Sequence, residues 1–311
     1  MKKQLELLKI NRPKELAHQI GVPLDVIEQI LKDKEKHYIK RTWQDKKGKN
    51  RDFYQASPEL EAIHEKLLKK LLYRLNIPVQ FQGAVKGRSL SSHAQIHSGK
   101  KNIAVFDIKK FFPSVKPEKV FFTFRDLGCQ PDVANMIRDL VTAEGHLPQG
   151  FKTSPFISVL VLRKTDKRLQ GFLKKFGFKH SFWIDDLTVS GNATINSSIC
   201  NYIKKTFQRE GFTVHKDEDN PIDQSERQTV TKTVVNKKPN LIKEKREQIE
   251  KAVYICGLIG IRDFRRQYYS DLTLGQVVDK VSGQLSHYVS LRNDKKYLLE
   301  DWKMLREISG L

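Results

Sequence analysis

The chain has 311 residues, 39% of them hydrophobic, with only 11 Pro and 17 Gly, which is enough apolar content to bury a core and excludes a disordered or fibrous chain. Lys and Arg number 57 against 36 Asp and Glu, leaving a formal net charge of +21. Such an excess favours a polyphosphate partner through counterion release, and its spread along the whole length fits nucleic acid better than a membrane surface.

Residues 1–40 read as helical. Lys14 to Ile20, then Gly21 and Pro23, then Leu24 to Leu31 have the cadence of a helix-turn-helix, with Gly21 in the turn and Pro23 opening the second helix. A DNA-reading helix needs base-edge readers, and this one offers Asp25, Glu28 and a single good candidate, Gln29; a packing or partner-binding pair is the better reading. Residues 41–54 are two β-prone pieces around a basic Gly turn. They make either a plain hairpin with a solvated tip or a finger whose Lys47 and Arg51 close onto a triphosphate. Ser57 and Pro58 then start a core helix with Leu60, Ile63, Leu67, Leu68, Leu71, Leu72 and Leu75 on one stripe, ended by Asn76 and Pro78.

The stretch Gln82 to Leu90 is Gly-rich and basic but lacks the Gly-Lys-Ser/Thr ending of a phosphate-binding P-loop. His93 and His97, four apart, could share a metal on one helical face, yet no third soft ligand lies nearby, and a plain histidine pair is favoured. A buried strand follows and ends in Asp107, with Phe111, Phe112 and Pro113 turning the chain away behind it. Phe112 is either core or the wall of a nucleotide sugar pocket.

A helical region over 133–141 leads to a loop stiffened by Pro148, Gly150 and Pro155. Its Gln149, and the amides ahead of the apolar helix from 156 to about 169, either hold a nucleotide and a strand or simply start that helix. Residues 181–191 form a β-hairpin that lifts Asp185 and Asp186 onto its turn, a costly place for two like charges unless a cation sits there. Beyond residue 240 the chain is helical and basic, over 241–259, 274–291 and 294–308, after a Lys-rich link at 236–246. Cys129, Cys200 and Cys256 form no CxxC and read as buried reduced thiols. No apolar run spans a membrane and no signal-peptide core stands near the start, so a cytoplasmic protein without a membrane partner is expected.

Three of these segments together carry a resemblance. Phe-Asp-Ile-Lys-Lys-Phe-Phe-Pro-Ser at 106–114, Leu-Pro-Gln-Gly-x-x-Thr-Ser-Pro at 147–155 and Asp-Asp-Leu-Thr-Val-Ser at 185–190 stand in the order of the palm motifs of reverse transcriptases, and the chain resembles the bacterial retron type over roughly 41–240. The resemblance implies an α+β right-hand polymerase fold: a helical extension over 1–40, fingers with the start of the palm over 41–106, a palm of antiparallel sheet and helices over 107–240, and a helical thumb over 241–311. It implies that Asp107, Asp185 and Asp186 bind metal, with Ile108 adding a backbone carbonyl. It further implies that Gln149 contacts the nucleotide, that Phe112 excludes a ribose 2′-OH, and that a nearby lysine, for which Lys216 is the candidate, protonates the leaving pyrophosphate.

His93 to His97 resembles the Asn-Ala-x-x-His element of retron enzymes, and Val230-Thr231-Lys232 their Val-Thr-Gly; His93, His97 and Lys232 are the RNA-binding candidates this implies. His93 stands where Asn is usual, Lys232 where Gly is usual, Trp183 where Tyr is, and Ile184 where a small residue is.

Chemistry agrees independently. Two divalent ions about 4 Å apart on three carboxylates suit phosphoryl transfer, and an oxygen-only donor set suits Mg²⁺, with Mn²⁺ as substitute. The expected function is RNA-directed DNA synthesis on a structured noncoding RNA, giving cDNA from dNTPs, in antiphage defence beside an effector protein. The alternatives are a defence enzyme of another reverse-transcriptase lineage, a template-independent DNA-synthesising enzyme, and a non-catalytic nucleic-acid-binding regulator using residues 14–31.

Overall fold

The computed structural model describes residues 8–44, 48, 50–215 and 220–310. Lys47 and Lys216 lie outside the described residues. Helix α1 (Pro13–Ile20) begins with Pro in its first turn and stops at Gly21, whose φ of 68° is left-handed; α2 (Leu24–Lys32) follows, with Pro23 just ahead of it as the capping residue. Leu16, Ala17, Ile20, Ile27 and Ile30 are buried in a shared core, so the pair is used for packing. Strands β1 (Tyr38–Gln44) and β2 (Asn50–Ala56) form an antiparallel hairpin paired from Tyr38↔Ala56 to Gln44↔Asn50.

Helix α3 (Pro58–Lys66) is capped by the Ser57 hydroxyl, which accepts from the Leu60 amide at 3.4 Å. It continues through a π turn over Leu67–Leu71 and a tight turn to Arg74. That change of winding lets Leu67, Leu68, Leu71 and Leu72 all reach the core.

The next elements are α4 (Leu90–His97), β3 (Asn102–Asp107), α5 (Phe111–Ser114), α6 (Pro117–Asp126) and α7 (Pro131–Val141). The apolar helix expected to run from 156 is two helices, α8 (Ser154–Val161) and α9 (Arg163–Leu173), meeting at Leu162. Strands β4 (Lys179–Trp183) and β5 (Asp186–Gly191) flank the Asp-Asp turn, and α10 (Ser197–Arg209) follows. After the short strands β6 (Ile222–Asp223), β7 (Thr229–Val230) and β8 (Thr233–Val234) come α11 (Lys243–Ile259), α12 (Ile261–Tyr268), α13 (Leu274–Leu291) and α14 (Lys296–Ile308). Helix α12 lies between the helical stretches expected from the sequence: Gly260, at φ 80°, ends α11, and only Ile261 and Phe264 of the next eight residues are buried, too few to set a helical pattern. Among the described residues no helix is long and apolar enough to cross a membrane.

The chain divides into two compact units, one of residues 1–89, 104–189 and 193–221, the other of 90–103, 190–192 and 222–311. The four-stranded sheet has the order β4-β5-β3-β6, and the division falls within β3 and β5. The first unit has a single large core that includes Phe106, Phe124, Ile137, Phe182 and Phe207. The second has its own core of Ile249, Val253, Cys256, Val277, Val281, Leu285, Tyr288 and Trp302. Two of its buried aromatics have their polar tips satisfied: Trp302 Nε1 donates to Ser282 Oγ at 2.8 Å and the Tyr288 hydroxyl to Glu250 at 2.8 Å. All three cysteines are free and buried, as their spacing predicts.

Candidate active site

Asp107 is the last residue of β3, and the next residues bend away because Lys110 takes a left-handed φ of 50° ahead of the short α5. Asp185 and Asp186 occupy the turn between β4 and the start of β5. The sheet order brings these strand ends together, so one ligand oxygen from each of the three carboxylates lies within 4.8 Å of the others, all half-buried. Burial, and after it the charge of Asp107, pushes Asp185 up from 3.8 to about 6, while Arg51 on β2 pulls the other way. The cluster is therefore short of positive charge, the condition a hard divalent cation relieves.

Behind Asp107 the chain is pinned by residues 213–215. The Asp107 carbonyl accepts from the His215 amide at 2.9 Å, the Lys109 amide donates to Thr213 at 2.8 Å, and Ile108 sits opposite Val214 in an isolated antiparallel bridge. Bonds on the two flanking residues leave the amide and carbonyl of Ile108 itself directed away from Val214. The His215 ring also stands 3.7 Å from the Asp107 carboxylate.

The turn is strained and supported. Ile184, a β-branched residue, has φ 59°, a conformation such side chains rarely adopt. Residues 80–83 run alongside: Phe182 donates to the Gln80 carbonyl at 2.7 Å, and the Gln82 amide donates to Phe182 at 2.8 Å. A Cβ on Gly83 would lie 2.7 Å from the Ile184 nitrogen and 3.0 Å from its Cγ1, so only glycine lets this strap approach the turn. The strap is held in turn by Arg88, whose guanidinium donates to the carbonyls of Ile77, Pro78 and Phe81. In the sequence, residues 82–90 offer no phosphate-binding loop and so no assigned role. The signal that points to a support is a Gly-Ala-x-x-Gly-Arg run with no other use, and it identifies no partner.

The remaining nucleotide candidates fall on neighbouring elements of the same unit. Phe112 is half-buried at the start of α5, edge-on to the buried Phe111 with ring centroids 5.6 Å apart. Gln149 is half-buried in the loop before α8, and its carbonyl accepts from the Tyr54 amide at 2.8 Å, tying that loop to β2. Gly150 makes the contact feasible: at φ 118° it presents no Cβ where one would lie 2.4 Å from the Tyr54 carbonyl oxygen. Arg51 is exposed on β2, close enough to Asp185 to influence its charge.

His93, His97 and Lys232 belong to the second unit. Both histidines are fully buried on one face of α4, with ring centroids 5.6 Å apart. His97 Nδ1 shares a 2.7 Å hydrogen bond with Ser190 Oγ, and His93 Nδ1 lies 3.4 Å from Thr231 Oγ1. They lack the exposure that direct contact with RNA requires; what they touch is the strand end and the hairpin beside them. Lys232 is exposed on the two-residue β7–β8 turn, where Thr231 and Lys232 have φ of 45° and 65°. Two left-handed residues make the mirror-image turn that matches strand twist, and that geometry is why glycine suits the position Lys232 holds.

Residues 44–217 match the family described as Reverse transcriptase (RNA-dependent DNA polymerase). The chain is 27% identical over 271 residues to the retron Se72 reverse transcriptase of Salmonella heidelberg (strain 579083-10), covering 83% of this chain and 70% of that one. It is 29% identical over 229 residues to the retron Mx162 reverse transcriptase of Myxococcus xanthus, covering 64% and 47%. With the retron Ec86 reverse transcriptase of Escherichia coli the identity is 32% over 152 residues, 48% of each chain. The matched stretch thus spans about half of two of these relatives and 70% of the other.

Proposed function

The chain belongs to the reverse transcriptase (RNA-dependent DNA polymerase) family, in its bacterial retron type, and from that premise we propose that it copies a structured noncoding RNA into cDNA from dNTPs. The observation that carries the reading is the convergence of Asp107, Asp185 and Asp186, with ligand oxygens within 4.8 Å, at the ends of adjacent strands. In support, the donor set is all hard oxygen and half-buried, which fits Mg²⁺, with Mn²⁺ as substitute. Two such ions, when bound, supply charge neutralisation at the attacking and leaving oxygens of an in-line phosphoryl transfer.

In this reading the three aspartates and the Ile108 carbonyl hold the ions. Arg51 of β2, together with Lys47, closes on the triphosphate. Phe112 walls the sugar pocket and rejects a 2′-OH, Gln149 contacts the nucleotide, and Lys216 is the acid for the leaving pyrophosphate. His93 and His97 shape an RNA contact from beneath the surface, and Lys232 meets RNA directly. Residues 1–40 are an extension to a right hand with fingers over 41–106, palm over 107–240 and thumb over 241–311. The wider role is antiphage defence in the cytoplasm with an effector protein.

The test incubates the protein with the RNA encoded beside its gene, dNTPs and Mg²⁺. Complementary DNA from wild type, lost in Asp185→Ala, is the expected result. Product that does not copy the RNA would move the chain to template-independent synthesis, and binding without synthesis under any divalent ion would sink the polymerase reading.

A further inference from the structure

In the first unit, α6, the α8–α9 junction and the segment after α10 line a cavity of about 400 Å³, open on one side, that contains none of the acidic-site residues. Four cations line it: Lys119 on α6, and Arg163, Lys164 and Lys167 on α9. Two are neutralised in place. Lys119 pairs with Glu210 at 3.2 Å, and Lys164 with Asp126 at 2.6 Å. Arg163 is different: its Nε is buried and has no hydrogen-bond partner among the described residues. Burial holds its pKa below the ordinary value, against the opposing pull of the Asp166 and Asp126 carboxylates. Lys167 is exposed one helical turn further along α9. Phe122, which also lines the cavity, is 59% exposed, and Phe121 packs against it with centroids 5.2 Å apart.

A half-buried guanidinium whose Nε has no partner, an exposed second cation one turn away and a bare aromatic face ask for a ligand that is anionic at one end and flat at the other. A phosphate satisfies the fork, and a base on a ring adds about 1–3 kcal/mol of stacking. The volume is that of a small-ligand pocket. We propose that this cavity is a subsite for one nucleoside phosphate, with the phosphate on Arg163 and Lys167 and the base stacked on Phe122. The choice of ligand rests on the nucleic-acid reading above. The same chemistry can arrive as a residue of a single strand or as a free nucleotide.

Photo-crosslinking separates these sources. The full chain is irradiated with a single-stranded oligonucleotide carrying 4-thiouridine and, separately, with 8-azidoadenosine 5′-monophosphate, and adducts are mapped by peptide mass spectrometry. The expected result is an adduct within residues 119–126, reduced at least fivefold in Arg163→Gln and in Lys167→Glu. These variants lie on α9 and leave the labelled helix unaltered; Lys167, being exposed, guards against misfolding of the Arg163 variant. An adduct from the strand alone assigns the subsite to a strand, and one from the monophosphate assigns it to free nucleotide. No adduct on 119–126 with either probe, or an adduct undiminished in Lys167→Glu, overturns the proposal. Primer extension on the same preparations keeps the two readings apart: extension without adduct removes only the subsite, and adduct without extension removes only the polymerase.

Discussion

Replacing Asp185 with Asn should make the metal-free protein more stable while abolishing its response to divalent ions. Asp185 is lifted from 3.8 to about 6, first by burial and then by the neighbouring charge of Asp107. That difference corresponds to about 3 kcal/mol of penalty on the ionised form, and the half-buried, partly hydrated position reduces the expected gain to about 1–3 kcal/mol. The sign follows from linkage. A carboxyl whose folded pKa is raised contributes stability that is full below its unfolded value, near 3.8, and is lost as pH rises through about 6. In EDTA at pH 8, Asp185→Asn should therefore melt several degrees above wild type, at about 2–4 °C per kcal/mol. The gap should close as pH falls toward 4. Adding Mg²⁺ or Mn²⁺ should raise the wild-type melting temperature by mass action and leave the variant nearly unmoved. A variant no more stable than wild type at pH 8 in EDTA would refute the claim that this carboxylate is desolvated and crowded, whatever happens to activity.

Gly83→Ala should cut primer extension at least ~10-fold, since the new Cβ meets the Ile184 backbone nitrogen, not just a side chain, and displacements of about 1 Å at a reacting centre cost up to ~10²-fold. Adding Ile184→Ala removes only the Cγ1 contact and should not restore activity; full rescue in the double variant would show that the backbone approach does not matter. Lys232→Val should destabilise the protein by about 1–2 kcal/mol in denaturant melts, because a β-branched residue at φ 65° is strained, whereas Lys232→Gly should cost nothing. Equal effects of the two would contradict the left-handed turn. His64, fully buried with its Nε2 donating to the Leu140 carbonyl at 2.8 Å, is held down at about 4, chiefly by burial. Its depressed pKa means stability present above pH 6.5 is lost as pH falls toward 4, by up to about 3 kcal/mol. His64→Gln should flatten the melting-temperature profile across that window, and an unchanged slope would count against the burial argument.

The placement of His93, His97 and the β7–β8 turn within one unit gives a physical content to two short elements that are far apart in the chain. Thr231 and His93 stand 3.4 Å apart although 138 positions separate them. A buried imidazole face on α4 and a mirror-image turn carrying Lys232 make one structural piece.

The sequence by itself determined the three acidic positions, because strand ends and turns are written in local hydrophobic alternation and in the residues that break it. It determined the helix start at Pro58, where proline's missing donor costs nothing, and the turn at Gly21; the starts at Pro13 and Pro131 came with the structure. The reduced, buried state of the cysteines followed from their spacing. Only the tertiary structure decided that Asp107 meets Asp185 and Asp186, since the strand order β4-β5-β3-β6 is a nonlocal choice. It alone assigned Gly83 and Arg88 to support of the Asp-Asp turn, and Gly150 to the approach of β2, because a glycine records that something comes close and not what. The winding change after Lys66, the break at Leu162 and the helix at Ile261–Tyr268 also waited on packing, as local propensity differs little between a continuous helix and one rewound or broken to bring its leucines and valines inward.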